Sequence, residues 1–397
     1  MPVRMAQVAT ADLSIRYLLR TQLAALTDAG YEVTAVCAPG PSVGLLRQEG
    51  LRVETVPMVR ELRPRADLRS LVALIRLFRR HAFDVVVTHT PKAGLVAPVA
   101  AQLAGVPLVL HTVHGLLFHD RMPLLQRLAG LAAETFTARW ADHLLFQSAE
   151  DVRVAQALRL KRRAHLGYIG NGVDTARFHP ATPDVREEVR RALGVPGDAF
   201  VVGTVGRLVR EKGYGELFAA AQDLLHRHPG MHLVVIGPSE PDQSDGLREA
   251  DLARWRGHPN VRLLGHREDV DRLYAAMDLF VLPSHREGIP RSLMEASASG
   301  LPVVASDIRG CREVVIPGVT GTLVPVRDAR QLARAIESLA RDRHRCSAMG
   351  LAGRDRLVAH FDERLVIERL LAILATLLGS RAMRGAPLVA AEPGHPS

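Results

Sequence analysis

Two doubly wound α/β domains of the Rossmann type are what this 397-residue sequence predicts. Apolar strand-like runs alternate with helix-period segments, the pattern of mostly parallel sheets covered by helices. The alternation lapses in a polar, proline-containing stretch between Val173 and Phe200 and then restarts. The length suits two domains of about 100–200 residues each. With 47% hydrophobic and 23% charged residues, the composition excludes collagen-like, disordered and disulfide-scaffold chains.

In the first half, strands are expected over residues 4–9, 32–38, 52–57, 84–89, 108–114 and 143–147, and helices over 17–29 and 67–81. The second helix carries Leu68, Leu71, Val72, Ile75 and Phe78 as one apolar stripe. Residues 93–119 contain no Asp, Glu, Lys or Arg, but Pro98, Gln102 and Gly105-Val106-Pro107 split them into a short helix and a strand. A membrane span needs about 20 apolar residues in one helix, so this segment reads as buried core. After the lapse, strands are expected over 201–205, 233–236, 261–264, 279–282, 302–305 and 321–324. The domains are therefore drawn as 1–175 and 176–362. A helix over 363–379 can pack back on the first domain, and 380–397 is expected to be a frayed tail.

The net charge of +9 does not point to nucleic acid. Basic residues are scattered, and aromatic residues, at 4%, leave little for base stacking. Only Lys92, Lys161 and Lys212 are lysines; the rest of the basic residues are arginine. Cys37, Cys311 and Cys346 are odd in number and far apart, with no metal spacing or disulfide framework. A reducing cytoplasm fits them, and residues 1–10 read as a strand rather than a secretory signal. Seven arginines between Arg60 and Arg80 surround the apolar stripe, so that helix is either a crossover with a solvated arginine face or a surface for an anionic membrane.

In open α/β sheets, ligands sit outside the carboxyl ends of strands, so chemistry is sought there. After the strand 201–205, Gly206, Arg207 and Lys212 form a loop in which glycine admits close approach and the two cations either neutralise a diphosphate or stand solvated. After the strand 279–282, Glu287 lies in a loop and Glu295 one turn inside a helix that Pro290 would open. Backbone N–H groups of Arg291, Ser292 and Leu293 at that helix start suit phosphate oxygens, and the two carboxylates suit sugar and ribose hydroxyls or ordinary solvent. In the first half, His114 ends the strand 108–114, as a hydroxyl contact or a packed loop histidine, and Thr88-His89-Thr90-Pro91-Lys92 puts a cation at the end of the preceding strand. Asp269-Val270-Asp271 matches a metal-binding D-x-D, but at the start of a helix pattern it reads as capping acid.

Arg207 and Lys212 in G-R-L-V-R-E-K-G, followed by Glu287 and Glu295 eight positions apart, resemble the retaining glycosyltransferases of family 4 with the GT-B fold. The likeness runs along nearly the whole chain, through T-V-H-G at Thr112–Gly115, G-N-G-V-D-T-A-R-F at Gly170–Phe178 and V-V-A-S-D-I-R-G-C-R-E at Val303–Glu313. It implies two Rossmann-like domains facing a cleft. It implies that Gly206, Arg207, Lys212, Glu287, Gly288, Ile289, Arg291, Ser292, Leu293 and Glu295 hold a nucleotide-sugar, with Arg207, Lys212, Glu287 and His114 in the chemistry. The family usually needs no metal or other cofactor.

The Lys92 and His114 motifs resemble the branch that builds lipid-linked glycans, with UDP-sugar donors and undecaprenyl-diphosphate sugar acceptors. Lys92, Ser14 and Asn171 are the acceptor-side candidates, and a peripheral place on the inner face of the cell membrane follows. Two departures stand out: residues 10–15 lack the family's frequent Gly-Gly loop, and Glu287-Gly288-Ile289-Pro290 replaces E-G-F-G. Alternatives are another GT-B enzyme such as a nucleotide-sugar epimerase, or a non-enzymatic sugar-nucleotide-binding regulator. A nicotinamide dehydrogenase is disfavoured, because no G-x-G-x-x-G follows a strand.

Overall fold

The computed structural model describes residues 2–119, 122–240 and 245–382. The chain divides into two compact units, Met1–Gly170 with the segment from Ile367 onward, and Asn171–Val366. From 383 on, the expected tail lies outside the described residues.

Among the described residues, the first unit holds a seven-stranded sheet, β1 (Arg4–Val8), β2 (Glu32–Cys37), β3 (Arg52–Thr55), β4 (Val85–Thr88), β5 (Leu108–Val113), β6 (His143–Phe146) and β7 (Leu166–Tyr168). All pairings are parallel, in the order β3-β2-β1-β4-β5-β6-β7. Helices cover both faces, which is why β4, β5 and β6 are buried at every position rather than alternating. β7 is three residues long and gave no pattern to read. The helix Glu363–Ala382 sends Leu370, Leu374 and Leu377 into the core formed by Met5, Ile15, Leu19 and Leu145.

Three expectations for this unit change. The first helix starts earlier, at Asp12, running through Asp12–Ser14, a π-wound turn Ile15–Leu19 and Arg20–Asp28. It fills the place of the Gly-Gly loop, with Asp12 buried and accepting the Ser42 N–H at 2.7 Å. The helix Pro64–His81 buries Ser70, Leu74, Leu77 and Phe78, whereas Leu68 and Val72 of the expected stripe are 61% and 37% exposed. Its buried face is chosen by packing on Ala93, Val96, Ala97 and Ala100 of the helix Pro91–Ala104. That second helix runs through Pro98 and stops at Gly105, so only Gly105 breaks it. No described helix is long and apolar enough to cross a membrane.

The second unit holds a six-stranded parallel sheet among its described residues, β8 (Phe200–Val205), β9 (Met231–Ile236), β10 (Val261–Leu263), β11 (Leu279–Leu282), β12 (Val303–Ser306) and β13 (Gly321–Val324). The order is β10-β9-β8-β11-β12-β13. Each sheet reverses direction of growth at one place, between β1 and β4 and between β8 and β11, the switch points where such folds leave a crevice.

The polar stretch, drawn almost wholly within the second domain, is part of this unit. Its helix Pro183–Ala192, capped by Thr182, aims Arg186 and Arg190 at Asp278, just before β11. Arg190, 2% exposed, also donates to the carbonyls of Ala276, Gly197 and Ala199, so a charged residue in a polar run became a core strut.

Candidate functional site

Because β8 and β11 are neighbours, the loops that follow them meet. Gly206 to Gly213 leaves β8 through a short 3-10 turn, Arg210–Lys212, and enters the helix Tyr214–Arg227 at Gly213. Gly213 has φ +73°, and a Cβ there would stand 2.0 Å from the Pro283 carbonyl oxygen, so only glycine fits this approach of the two loops. The His285 N–H donates to the Glu211 carbonyl at 2.8 Å, Arg286 pairs with Glu211 at 2.9 Å, and His285 meets Glu216 at 2.9 Å.

Lys212 Nζ reaches Glu287 Oε1 at 2.5 Å, and the Ser284 hydroxyl, fully buried, donates to the same oxygen at 2.7 Å. Two of the expected site residues are thus in direct contact. Arg207 pairs with Glu240 at 2.9 Å, and the Gly206 carbonyl accepts from Tyr214 at 2.8 Å. On the other side of the loop, a Cβ on Gly310 would fall 1.3 Å from the Gly288 carbonyl oxygen. The helix Arg309–Val314 therefore packs with backbone against the segment that carries Glu287 and Gly288.

The helix Arg291–Ala298 starts one residue later than Pro290 suggested. Pro290 is its N-cap, with extended backbone (φ −74°, ψ 117°), and so spends no N–H at the helix start. The first-turn N–H groups of Arg291, Ser292 and Leu293 have no acceptor within the helix, which suits an anion. Leu293 is fully buried, and Ile289 is 6% exposed with its carbonyl accepting from Asn171 at 3.1 Å. Asn171, expected on the acceptor side, belongs to the second unit with the donor-side residues.

Glu295 sits inside this helix with Arg291 at 3.8 Å and the Tyr274 hydroxyl at 3.1 Å. Burial raises its pKa above the usual carboxylate range, against the pull of Arg291 and the Tyr274 hydrogen bond. Sequence reasoning passed over Tyr274, Ser284 and Glu240. Ser284 was within reach, three residues before Glu287; Tyr274 is 21 residues from Glu295 and only the fold joins them.

Asp269 and Asp271 do not share a site. Asp269 stands at the N-cap of the short helix Val270–Leu273, but its carboxylate bonds Arg267 at 2.7 Å instead of capping, and Asp271 bonds Arg177 at 2.7 Å. Among the described residues, no group of three His, Cys, Asp or Glu side chains is placed to hold a metal ion.

In the first unit, His114 follows β5 and is half-buried, its Nε2 3.1 Å from Nδ1 of His89. Burial is the main cause that lowers its pKa to about 4, while a Gln147 hydrogen bond acts the other way. Lys92, expected as a cation at the strand end, opens the helix Pro91–Ala104. It is 5% exposed, paired with Asp67 and donating to the Glu61 carbonyl at 2.9 Å, so its charge is cancelled within the unit. Ser14 is half-buried in the opening turn of the first helix, its N–H donating to Ala11 at 3.0 Å.

A family model described as "Glycosyl transferases group 1" matches residues 185–356, and one described as "Glycosyl transferase 4-like domain" matches residues 15–172. A UDP-Gal:alpha-D-GlcNAc-diphosphoundecaprenol alpha-1,3-galactosyltransferase of Escherichia coli is 30% identical over 80% of this chain and 82% of its own. The chain belongs to the group 1 glycosyltransferases. The capsular polysaccharide biosynthesis glycosyltransferase CapM of Staphylococcus aureus is 29% identical to this transferase over 91% of the chain and 94% of CapM. HepE of Anabaena, solved with UDP and glucose, superposes with TM-score 0.80 at 22% identity, over 94% of the transferase and 100% of HepE. That likeness shows the GT-B fold.

Proposed function

We propose that this transferase moves a hexosyl or N-acetylhexosaminyl group from a UDP-sugar to a hydroxyl of a glycan or an undecaprenyl-diphosphate-linked sugar, with retention of the anomeric configuration, in polysaccharide biosynthesis. The observation that carries the reading is the meeting of two strand-end loops in the second unit, which puts Lys212 on Glu287 beside the start of the helix Arg291–Ala298. The Escherichia coli relative, whose name gives a UDP-galactose donor and a diphosphoundecaprenol acceptor, supports the choice of substrates. HepE, solved with UDP, supports the nucleotide.

Breaking the sugar–phosphate bond builds negative charge on the departing diphosphate. Arg207, Lys212 and the first-turn N–H groups of residues 291–293 stabilise it electrostatically. Glu295 accepts from the ribose hydroxyls, Glu287 with the Gly288 and Ile289 backbone faces the transferred sugar, and His114 bonds a sugar hydroxyl. The acceptor hydroxyl attacks on the face the nucleotide leaves, and the leaving phosphate takes its proton. These cations supply the charge, so turnover is expected to persist in EDTA. Exposed Leu62 and Leu68 among the exposed arginines 60, 63, 65, 69, 76, 79 and 80 support a peripheral membrane position near a lipid-linked acceptor.

The test is a thermal-shift panel of UDP, GDP and ADP on wild type and Lys212→Ala, followed by turnover with and without acceptor. A ligand at 100 times its dissociation constant adds about 2.7 kcal/mol of apparent stability. UDP should stabilise the wild type and not the variant, and Lys212→Ala should lose at least about a hundredfold in turnover with its fold intact. Wild-type turnover in Lys212→Ala would overturn the donor assignment, and a UDP-sugar consumed without acceptor would make the enzyme an epimerase.

A further inference from the structure

A carboxylate that accepts from two neighbouring hydroxyls must be ionised and must stay in place. Glu295 meets an obstacle to the first, because its side chain is only 16% exposed and burial disfavours the charged form. Arg291, the Tyr274 hydrogen bond and Arg177 act against burial, and Asp271 acts with it. Arg291 stands 3.8 Å away, and Arg177 bonds Asp271 at 2.7 Å. The Tyr274 hydroxyl lies closer, 3.1 Å from Glu295 Oε2.

The surroundings of Tyr274 fix where that hydroxyl points. Tyr274 opens the turn Tyr274–Ala276 just before β11 and is 1% exposed. Its ring meets those of Phe178 and Phe280 edge-on, with centroids 6.0 and 5.9 Å away, and both phenylalanines are buried. The hydroxyl carries one proton and has two acceptors in reach, the Ser292 carbonyl at 3.2 Å and Glu295 Oε2. An ionised carboxylate is the stronger acceptor, so the proton goes to Glu295. Burial, with the Glu295 charge as a further cause, raises the Tyr274 pKa well above its usual value, so the phenol stays a donor. One bond on Oε2 leaves the other lone pairs of the carboxylate for a ligand.

We propose that Tyr274 is a positioning residue that holds Glu295 ionised and in place for the two ribose hydroxyls, and so sets the preference of this site for a ribonucleotide over one lacking them. This rests on the reading of Glu295 as the ribose contact, and all the residues it invokes belong to the second unit. Without the hydroxyl, burial acts on the carboxylate with less opposition. The long side chain is also free to turn, so that ordering it falls to the ligand.

The experiment is calorimetric titration of full-length wild type and Tyr274→Phe with UDP and with 2′,3′-dideoxy-UDP near pH 7.5, repeated in a Glu295→Ala background. Phenylalanine keeps the ring that packs on Phe178 and Phe280. In Tyr274→Phe the dissociation constant for UDP should rise about tenfold, while that for the dideoxy nucleotide stays at the wild-type value. In the Glu295→Ala background the same substitution should change neither. An equal loss for both nucleotides, no loss for either, or a further loss on top of Glu295→Ala overturns the positioning role. Failure of the underlying reading shows in wild type alone. Equal affinity for the two nucleotides removes the ribose contact, no binding of either removes the UDP donor, and each takes the proposal with it.

Discussion

Glu134→Gln should stabilise the protein at pH 8 and by less than about 1 kcal/mol near pH 5. Glu134, on the helix Leu124–Trp140, is 5% exposed and accepts the Leu117 N–H at 3.0 Å, while Asp151 accepts the Leu116 N–H at 3.1 Å. These two carboxylates hold the segment that follows His114. Burial raises the Glu134 pKa from 4.5 to about 7, the Leu117 N–H opposes the rise, and Asp151 adds to it. A folded-state value above the unfolded one means that the folded protein keeps a proton the unfolded chain has released. Its stability is whole below pH 4.5, falls between about pH 4.5 and 7, and is level above that. About 2.5 units at 1.36 kcal/mol each gives a loss of at most about 3 kcal/mol by pH 8.

Glutamine is neutral at every pH and its carbonyl still accepts from Leu117, so it removes that loss. For a unit of this size, each kcal/mol moves the melting temperature by about 2–4 °C. Glu134→Ala supplies the contrast, because it leaves the buried Leu117 N–H without its acceptor and costs about 1–3 kcal/mol relative to Glu134→Gln at both pH values. Melting curves at pH 5 and pH 8 decide it. A Gln variant with the same offset from wild type at both pH values refutes the argument that the charge is the cost.

Gly310→Ala should cut turnover while Gly215→Ala leaves it unchanged. The first Cβ would fall on the Gly288 carbonyl and push the Glu287 segment, whereas the second meets nothing within 4 Å in a helix that gains about 0.5–1 kcal/mol from alanine. Steady-state kinetics and melting of the two variants check this, with a drop in both activities counting against the packing argument. Asp278→Ala should cost about 3–5 kcal/mol, because it strands Arg190 in the core. Chemical denaturation measures it, and a loss under 1 kcal/mol would show that the carbonyls around Arg190 suffice.

The parallel sheets were legible because their strands are short, Val-rich runs bounded by turns, and eleven residues from Gly203 to Gly213 already announced a strand-end loop. The contact of Lys212 with Glu287 was not legible. It depends on β8 lying beside β11, a pairing of strands about 80 residues apart that no local pattern encodes. The buried face of Pro64–His81 failed for a related reason. Leu68, Leu71, Val72 and Ile75 satisfy a helical period as well as Leu74, Leu77 and Phe78 do, and the neighbouring helix, not the sequence of this one, selects the face. Arg186 and Arg190 show the same limit for charge, since arginine in a polar run looks solvated until Asp278 is found opposite.

Charge also separates what each unit can recognise. At the strand ends of the first unit, His89, His111 and His114 are all lowered by burial, and the Lys92 charge is cancelled by Asp67, so that cluster offers neutral hydrogen-bonding groups. Such groups suit hydroxyls and cannot balance a diphosphate. The second unit keeps its cations at the surface of its loops, with the Lys212 and Arg207 side chains 23% and 43% exposed. Their partners Glu287 and Glu240 are single carboxylates, each carrying one negative charge. A diphosphate carries more charge on more acceptor oxygens, and exchange of a carboxylate for a phosphate on arginine or lysine is then favoured by Coulomb attraction over the same short distance. The cations that suit a diphosphate therefore lie in the loops of the second unit, as the proposed roles of Lys212 and Arg207 require.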